Sequence, residues 1–252
     1  MKNYQTVIEE RYDKQQYNGT GILKNMYAPI NPVGFYGEFK SAQILSDLVS
    51  MLIAHEDMTD LEEIKICDFG CGDGIKTRFM AELLGNPSQV YGIEYSKNRL
   101  QHCKNMNCNI HYAYADITKL GSIPFDVQFD AITTFVVFMH FDTKKQIYHA
   151  LKNIYNSLKK DGLFLWYDVN VKSHWNGAKD TDGHGFSGAE MDRYASKVGF
   201  KLVKSYGVYS HVPIVNESTI YLANKVKNIV TLEALDKLPF KKNNLIRIYR
   251  KE

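Results

Sequence analysis

The chain has 252 residues, of which 44% are hydrophobic and 23% charged, so it can bury one full core. It carries 31 Lys and Arg against 28 Asp and Glu, without the basic excess that is typical of strong nucleic-acid binders. No apolar run reaches the ~18 residues that cross a bilayer, and the N-terminus shows no hydrophobic signal-peptide region. These features predict a cytoplasmic protein for which nucleic acid is not the expected partner.

The cysteines and histidines match no standard metal-site pattern. The four cysteines are Cys67, Cys71, Cys103 and Cys108. They include no Cys-x-x-Cys pair, and a zinc site from His102, Cys103, Cys108 and His111 is an alternative with irregular spacing. We therefore expect reduced thiols and no bound metal.

Taken in chain order, the predicted elements follow an N-terminal arm or lid at residues 1–40. A helix is predicted over 39–54 because apolar residues recur at helical spacing. Strands are then predicted at 64–69, 90–94, 110–114, 131–138, 163–169, 200–208 and 245–249. Four helices alternate with the strands from 76 onwards. Their start and stop signals are Gly85 for the first, Ser96 for the second, Asp142 and Gly162 for the third, and Ser187 with Glu190 and Gly199 for the fourth.

This alternation predicts an α/β fold with a doubly wound, mostly parallel sheet. Strands of five or six residues between helices of about ten indicate βαβ units covered on both faces. Residues 131–138 are apolar except for two threonines, as expected of a central parallel strand. No repeat or linker divides the chain, so a single domain over 1–252 is expected.

A glycine-rich turn follows the first predicted strand. It reads Asp68-Phe69-Gly70-Cys71-Gly72-Asp73-Gly74. Ligands of open α/β sheets bind at such carboxyl strand ends, where glycine lets a ligand approach the backbone. The dinucleotide fingerprint requires its third glycine at position 75, which is Ile75. An NAD-dependent oxidoreductase is therefore disfavoured.

Two acidic residues end the next two strands in register with the turn. Glu94 ends the second strand, where a carboxylate can accept hydrogen bonds from both hydroxyls of a ribose. Asp116 and Ile117 follow the third strand, where an acid and an apolar neighbour can hold the edge and face of an adenine. Each carboxylate alone also fits a surface residue or a helix cap, but the ordered set indicates a nucleoside site.

This constellation resembles the class I SAM-dependent methyltransferases across residues 41–206. The resemblance implies a Rossmann-like, seven-stranded sheet whose last strand, at 245–249, is antiparallel. It implies SAM as cofactor, with Gly70 and Gly72 against its methionine and ribose part, Glu94 on the ribose, and Tyr95 and Asp116 on the adenine. The full set of implied cofactor-binding residues is Asp68, Gly70, Cys71, Gly72, Glu94, Tyr95, Asp116, Ile117 and Phe135.

The acceptor is less constrained. Motifs of base N-methylating, cytosine C5 and protein arginine enzymes are absent, which favours methylation of O or N in a small-molecule or sugar-linked acceptor. General likeness to methyltransferases of bacterial surface-polysaccharide genes extends this to a capsular sugar or phosphoramidate group. His140, after the fourth strand, is the candidate general base, although a packing role fits it too.

Further acceptor-side contacts are expected from outside the core. The candidates for the lid or the acceptor pocket are Tyr12, Tyr36, His174, Trp175 and His211. Residues 207–243 are expected to form an acceptor-side insertion or a dimer contact, and monomer and homodimer both remain open. An RNA or protein methyltransferase and a non-catalytic SAM-binding or assembly protein are the alternative interpretations.

Overall fold

The protein was studied as a computed structural model that describes residues 32–56, 61–106, 109–170, 187–208, 237 and 244–252. Within these ranges, seven strands form one sheet. They are β1 (Ile66–Phe69), β2 (Val90–Glu94), β3 (His111–Tyr114), β4 (Phe129–Phe135), β5 (Leu158–Val169), β6 (Phe200–Val208) and β7 (Asn244–Lys251). The helices are α1 (Pro32–Glu56), α2 (Ile75–Leu84), α3 (Lys97–Asn105), α4 (Lys144–Ser157) and α5 (Gly188–Val198).

The sheet order is β3-β2-β1-β4-β5-β7-β6, and β7 runs antiparallel to both of its neighbours. β1 to β5 pair in parallel, so their carboxyl ends meet at one edge. The order reverses at β1, between β2 and β4, where an open α/β sheet leaves a crevice for ligands. This topology confirms the predicted doubly wound sheet with an antiparallel last strand.

Side chains alternate along each central strand between two apolar cores. In β5, Leu163 and Leu165 point into the core beneath α1 and α2, and Phe164 and Trp166 point into the core beneath α4 and α5. All four side chains are at most 1% exposed. Burial on both faces explains why these strands are nearly continuous apolar runs.

Helix α1 extends beyond its predicted bounds and packs on the first of these cores. Its buried face includes Leu45, Leu48 and Leu52, at helical spacing. No helix among the described residues is both long and apolar enough to cross a membrane.

Two predicted boundaries around β4 and α4 are wrong. β4 ends at Phe135 rather than at 138, because Val136 has a positive φ of 58° and a 3₁₀ turn, Phe138–His140, follows. Thr143 rather than Asp142 caps α4: its hydroxyl accepts from the Gln146 N–H at 3.2 Å, and the Gln146 side chain completes a capping box.

The end of α4 also differs from the prediction. The helix ends at Ser157 and β5 begins directly at Leu158, five residues earlier than predicted. Gly162 therefore does not end the helix but lies within the strand, directly after Asp161, which has a φ of 61°. The strand pairing with β4 shifts register at the same place.

Candidate functional site

A cavity of about 270 Å³ opens at the carboxyl edge of β1, β2, β3 and β4. It is lined by Gly70, Ile93, Glu94, Tyr95, Arg99, Ala115, Asp116, Ile117, Thr118, Phe135, Val136, Val137, His140, Phe141 and Gln146. The cavity therefore lies at the topological switch point, where the sheet order reverses. Its walls are apolar apart from a few polar groups, as is usual for small-molecule sites.

The glycine-rich turn reaches the cavity beside β2 through Gly70. The backbone N–H groups of Gly70 and Cys71 both donate to the Ile93 carbonyl, at 2.7 and 2.9 Å. Gly70 has a φ of 77°, in the left-handed region. A Cβ atom at Gly70 would lie 2.6 Å from the Val137 Cγ2. Only glycine fits here, because the turn must pass close to the opposite cavity wall.

Alanine substitutions at Gly70 and Gly85 distinguish the cost of the left-handed backbone from the cost of the close approach to Val137. Gly85, the C-cap of α2, has a similar φ of 66° with no atom near its would-be Cβ. We expect Gly85→Ala to lower the free energy of unfolding by about 1–2 kcal/mol through backbone strain alone. We expect Gly70→Ala to cost about 2–3 kcal/mol because the overlap with Val137 adds to that strain. Urea denaturation of both variants measures the difference, and equal losses would contradict the close approach.

Glu94 is the central polar group of the site. Its Oε2 accepts from the Gly72 N–H at 2.8 Å, and its Oε1 accepts from the Ser96 N–H at 2.7 Å. These bonds tie the glycine-rich turn, β2 and the start of α3 to one carboxyl group. Burial raises the pKa of Glu94, opposed by the Ser96 N–H, the charge of Arg99 and the Gly72 N–H. A carboxylate has about four acceptor positions, so Glu94 can still accept from a ligand beside its backbone partners.

The loop after β3 supplies a second carboxyl group and an apolar surface. Asp116 Oδ1 accepts from the backbone N–H and the hydroxyl of Thr118, at 3.0 and 2.6 Å. The Ile117 side chain is buried beside it. Tyr95, which also lines the cavity, stacks on Tyr114 with ring centroids 5.6 Å apart. A carboxyl group, an apolar side chain and an aromatic ring on one lining suit a flat, hydrogen-bonding ring.

The segment after β4 forms the opposite wall. Val136 is held in the left-handed region, where its N–H donates to the Tyr167 carbonyl at 2.8 Å. The following 3₁₀ turn brings His140 to the cavity. Asp168, at the end of β5, accepts from the Met139 N–H at 3.0 Å and from the Val169 N–H at 2.9 Å. A fully buried carboxyl group thus holds the turn that carries His140.

Three of the predicted cofactor-binding residues do not line the cavity. Asp68 is buried beneath the turn, where its Oδ2 and Oδ1 accept from the hydroxyls of Thr77 and Thr133 at 2.8 and 2.9 Å. Burial raises the pKa of Asp68 to about 6. Cys71 is also buried, and the Gly72 N–H is engaged by Glu94. These hydrogen bonds of Asp68 and Gly72 lie within the turn and its neighbours, and the assignment of all three residues to the cofactor stays a prediction.

Of the other predicted site residues, seven line the cavity, one is buried elsewhere, and four lie outside the described residues. Those lining the cavity are Gly70, Glu94, Tyr95, Asp116, Ile117, Phe135 and His140. Tyr36, a lid candidate, is 1% exposed in the core beneath α1 and does not line the cavity. The predictions for Tyr12, His174, Trp175 and His211 lie outside the described residues.

Sequence reasoning missed several groups that build the site. Asp168 and Asn153 lie on buried faces and bind backbone groups of distant segments. The signal was a polar residue at an otherwise apolar position: Asp168 near the end of a buried strand and Asn153 on the inner face of an amphipathic helix. Arg99, one turn into α3, lies 3.7 Å from Asp73 and also reaches the cavity.

Part of the chain is similar in sequence to known methyltransferases. Residues 66–162 match a family model described as a methyltransferase domain. A ubiquinone biosynthesis O-methyltransferase from Glaesserella parasuis is 30% identical over 141 residues, 53% of this chain and 57% of that protein. The mitochondrial ubiquinone biosynthesis O-methyltransferase of Dictyostelium discoideum is 31% identical over 150 residues, 55% of this chain and 45% of that protein. The chain spans about half the length of the curated relatives it matches.

Solved structures resemble the chain over nearly its whole length. A TehB-like SAM-dependent methyltransferase from Corynebacterium glutamicum aligns with a TM-score of 0.56 and 16% identity, over 98% of this chain and 100% of that one. The magnesium protoporphyrin IX methyltransferase from Synechocystis PCC 6803, solved with bound SAM, aligns with a TM-score of 0.58 and 13% identity, over 99% and 98%. At such identities the likeness establishes the fold, which is the one predicted from the strand and helix order.

Proposed function

We propose that this chain is a class I, SAM-dependent methyltransferase that methylates an oxygen or nitrogen atom of a small-molecule acceptor. The match of residues 66–162 to a methyltransferase-domain model and the fold shared with SAM-dependent methyltransferases support this proposal. The observation that carries the proposal is the Glu94 carboxyl group at the end of β2. Two backbone N–H groups orient it, at 2.8 and 2.7 Å, at the edge of the cavity. A preorganised acceptor at this strand end is suited to the hydroxyls of a nucleoside ribose.

The charges at the cavity fit SAM better than a dinucleotide. Glu94 and Asp116 are two acidic groups on its lining, and Arg99 is the basic side chain there among the described residues. SAM carries positive charge on its sulfonium and its amino group, whereas a dinucleotide carries a negative pyrophosphate. Charges interact more strongly in a partly buried site than in open water, and two carboxyl groups repel a pyrophosphate, so this lining disfavours a dinucleotide.

The residues that would hold SAM follow from the lining. Glu94 would accept from the ribose, Asp116 and Ile117 would contact the adenine edge and face, and Tyr95 would cover the ring. Gly70 would allow the amino-acid part to approach the backbone of the turn. When bound, SAM supplies a methyl group on a positively charged sulfur. The chain's residues align an acceptor, exclude water and accept a proton where needed.

The acceptor atom decides whether a general base is needed. A neutral amine requires little more than alignment, whereas a hydroxyl gains from proton removal. We propose this role for His140 because it lines the same cavity as Glu94 and lies on the 3₁₀ turn after β4. The two curated relatives are named as O-methyltransferases, which favours a hydroxyl.

We further propose a sugar-linked acceptor, such as a sugar hydroxyl or a phosphoramidate of a surface polysaccharide. This refinement comes from general sequence likeness, and an acceptor screen with and without such glycans tests it directly.

Residues 1–40 and 207–243 are proposed to supply the acceptor contacts. Cys67, Cys71 and Cys103 are free thiols, which agrees with the cytoplasmic location that we propose.

Calorimetry with SAM, S-adenosylhomocysteine and NAD tests the cofactor assignment. We expect wild type to bind the first two and not NAD. Glu94→Ala should weaken SAM binding by about 1.5–3 kcal/mol, the scale of a hydrogen bond to a charged group. Glu82→Ala, an exposed carboxyl group on α2, is the matched control and should bind as wild type does. Absence of SAM binding by wild type, or preference for NAD, would overturn the proposal.

A further inference from the structure

The loop that follows β3 has two sides. One side presents Asp116, Ile117 and Thr118 to the cavity. The other side rests on helix α4, which comes 30 residues later in the chain. Residues 116–122 are called the adenine loop below. The contacts between this loop and α4 are hydrogen bonds from side chains to backbone rather than apolar packing alone.

Asn153 on α4 makes three of these contacts. Its Nδ2 donates to the carbonyl oxygens of Ile117 and Lys119, at 2.9 and 2.8 Å. Its Oδ1 accepts from the Gly121 N–H at 2.9 Å. The side chain is 2% exposed. Both amide hydrogens and the amide oxygen are therefore engaged by backbone groups of one short loop.

His149 lies one helical turn before Asn153, so the two side chains share a face of α4. Its Nδ1 lies 3.0 Å from the Thr118 carbonyl oxygen. Because a carbonyl only accepts, Nδ1 carries the proton in this bond. Three consecutive carbonyls, those of residues 117, 118 and 119, are thus turned toward α4 by two of its side chains.

The position of Asn153 in the helix makes the arrangement specific. The neighbouring inward residues of α4 are apolar and fully buried: Ile147, Ala150, Leu151 and Ile154. A buried amide on such a face is costly unless all its hydrogen bonds are made. It makes them here only with the adenine loop in its observed conformation, so the amide selects that conformation.

We propose that Asn153, assisted by His149, is a positioning residue that sets the affinity for the nucleoside half of SAM through the adenine loop. Neither side chain touches the ligand in this scheme, because each acts on the backbone that carries Asp116 and Ile117. The proposal rests on the proposed function, since it presupposes that the cavity binds SAM.

The test compares two ligands that share the nucleoside and differ in the amino acid. S-adenosylhomocysteine contains both parts, and 5′-methylthioadenosine lacks the amino acid. We expect Asn153→Ala to weaken the affinity for both ligands by the same factor, about tenfold. The variant loses the hydrogen bonds that order the adenine loop, and a tenfold change corresponds to the net contribution of one or two of them. With SAM saturating, kcat should stay within about twofold, because the residue acts on binding. Asn156→Ala, an exposed asparagine on the same helix, should leave both affinities unchanged.

Each outcome is decisive. Unchanged affinity for 5′-methylthioadenosine in folded Asn153→Ala, or a loss confined to S-adenosylhomocysteine, would overturn the inference. Should that variant fail to fold, His149→Ala at its half-buried position takes its place, with an expected weakening of about threefold for both ligands. Wild type that binds neither ligand refutes the proposed function instead, so the two failures are distinguishable.

Discussion

Replacement of His140 by glutamine is expected to lower kcat by about 10²–10⁴-fold with a hydroxyl acceptor, the usual contribution of a general base. The imidazole lies at the cavity on the 3₁₀ turn after β4, whose backbone is fixed by the His140 N–H bond to the Val137 carbonyl at 3.1 Å. Glutamine preserves size and hydrogen bonding but accepts no proton at neutral pH. SAM affinity should remain within about twofold, because the cofactor contacts that we propose lie elsewhere.

The measurement is a steady-state pH profile of wild type and variant with one identified acceptor. A base must be neutral, so the wild-type rate should fall on the acid side, and this limb should be lost in the variant. His111→Gln is the control, since His111 is an exposed histidine on β3 and lies outside the cavity lining. A rate that stays within about tenfold of wild type would instead indicate an amine acceptor that needs no base.

The free energy of unfolding should depend on pH through Asp168. Burial raises the pKa of this carboxyl group to about 7, although the N–H groups of Val169, Met139 and Phe138 oppose the shift. In the unfolded chain an Asp titrates near 3.9. Between these values the folded state binds the proton more tightly than the unfolded chain. The contribution of Asp168 to the free energy of unfolding is therefore fully present below about pH 4. It is lost as the pH rises from about 4 to about 7 and changes no further above that.

The loss amounts to about 4 kcal/mol, since three pKa units correspond to 1.36 kcal/mol each. About 2.6 kcal/mol of this loss falls between pH 5 and pH 8, because part of it has already occurred below pH 5. Urea denaturation of wild type and Asp168→Asn at these two pH values measures that part, and the difference between the two proteins removes the contribution of other titrating groups. Asparagine has no proton to lose, so it should gain stability over wild type as the pH rises. Asp126→Asn, at an exposed position, should show a constant difference at both pH values. The same constancy for Asp168→Asn would show that this carboxyl group titrates normally.

Hydrophobic pattern and glycine spacing predicted the architecture well. The bounds of β2 and β6 match the predicted bounds, because turn and cap residues flank both strands: Pro87 and Ser96 for β2, and Gly199 before β6. β4 was extended three residues too far, since Val136, Val137 and Phe138 are as apolar as a strand. Their apolar character serves the cavity wall and the core instead, and hydropathy does not separate these environments.

The site was predictable to the extent that its residues follow strand ends. Glu94 ends β2 and Asp116 closely follows β3, and these neighbouring strands are parallel, so topology brings the two residues to the same cavity. Asn153 and Asp168 were not predictable, because each binds the backbone of a segment about 30 residues away. The burial of Asp68 and Cys71 beneath the cavity lining was not predictable, because proximity in sequence does not reveal which side of a turn faces inward.

The left-handed Val136 has a consequence for engineering this protein. A branched residue in that region costs on the order of 1–3 kcal/mol, which the surrounding fold must supply. Selection for heat resistance alone would reward glycine or asparagine at this bend, since both relieve the cost. The bend also aims the wall that carries His140, so such gains would loosen the geometry on which turnover depends. Thermostabilisation and activity are thus set against each other at a single backbone position.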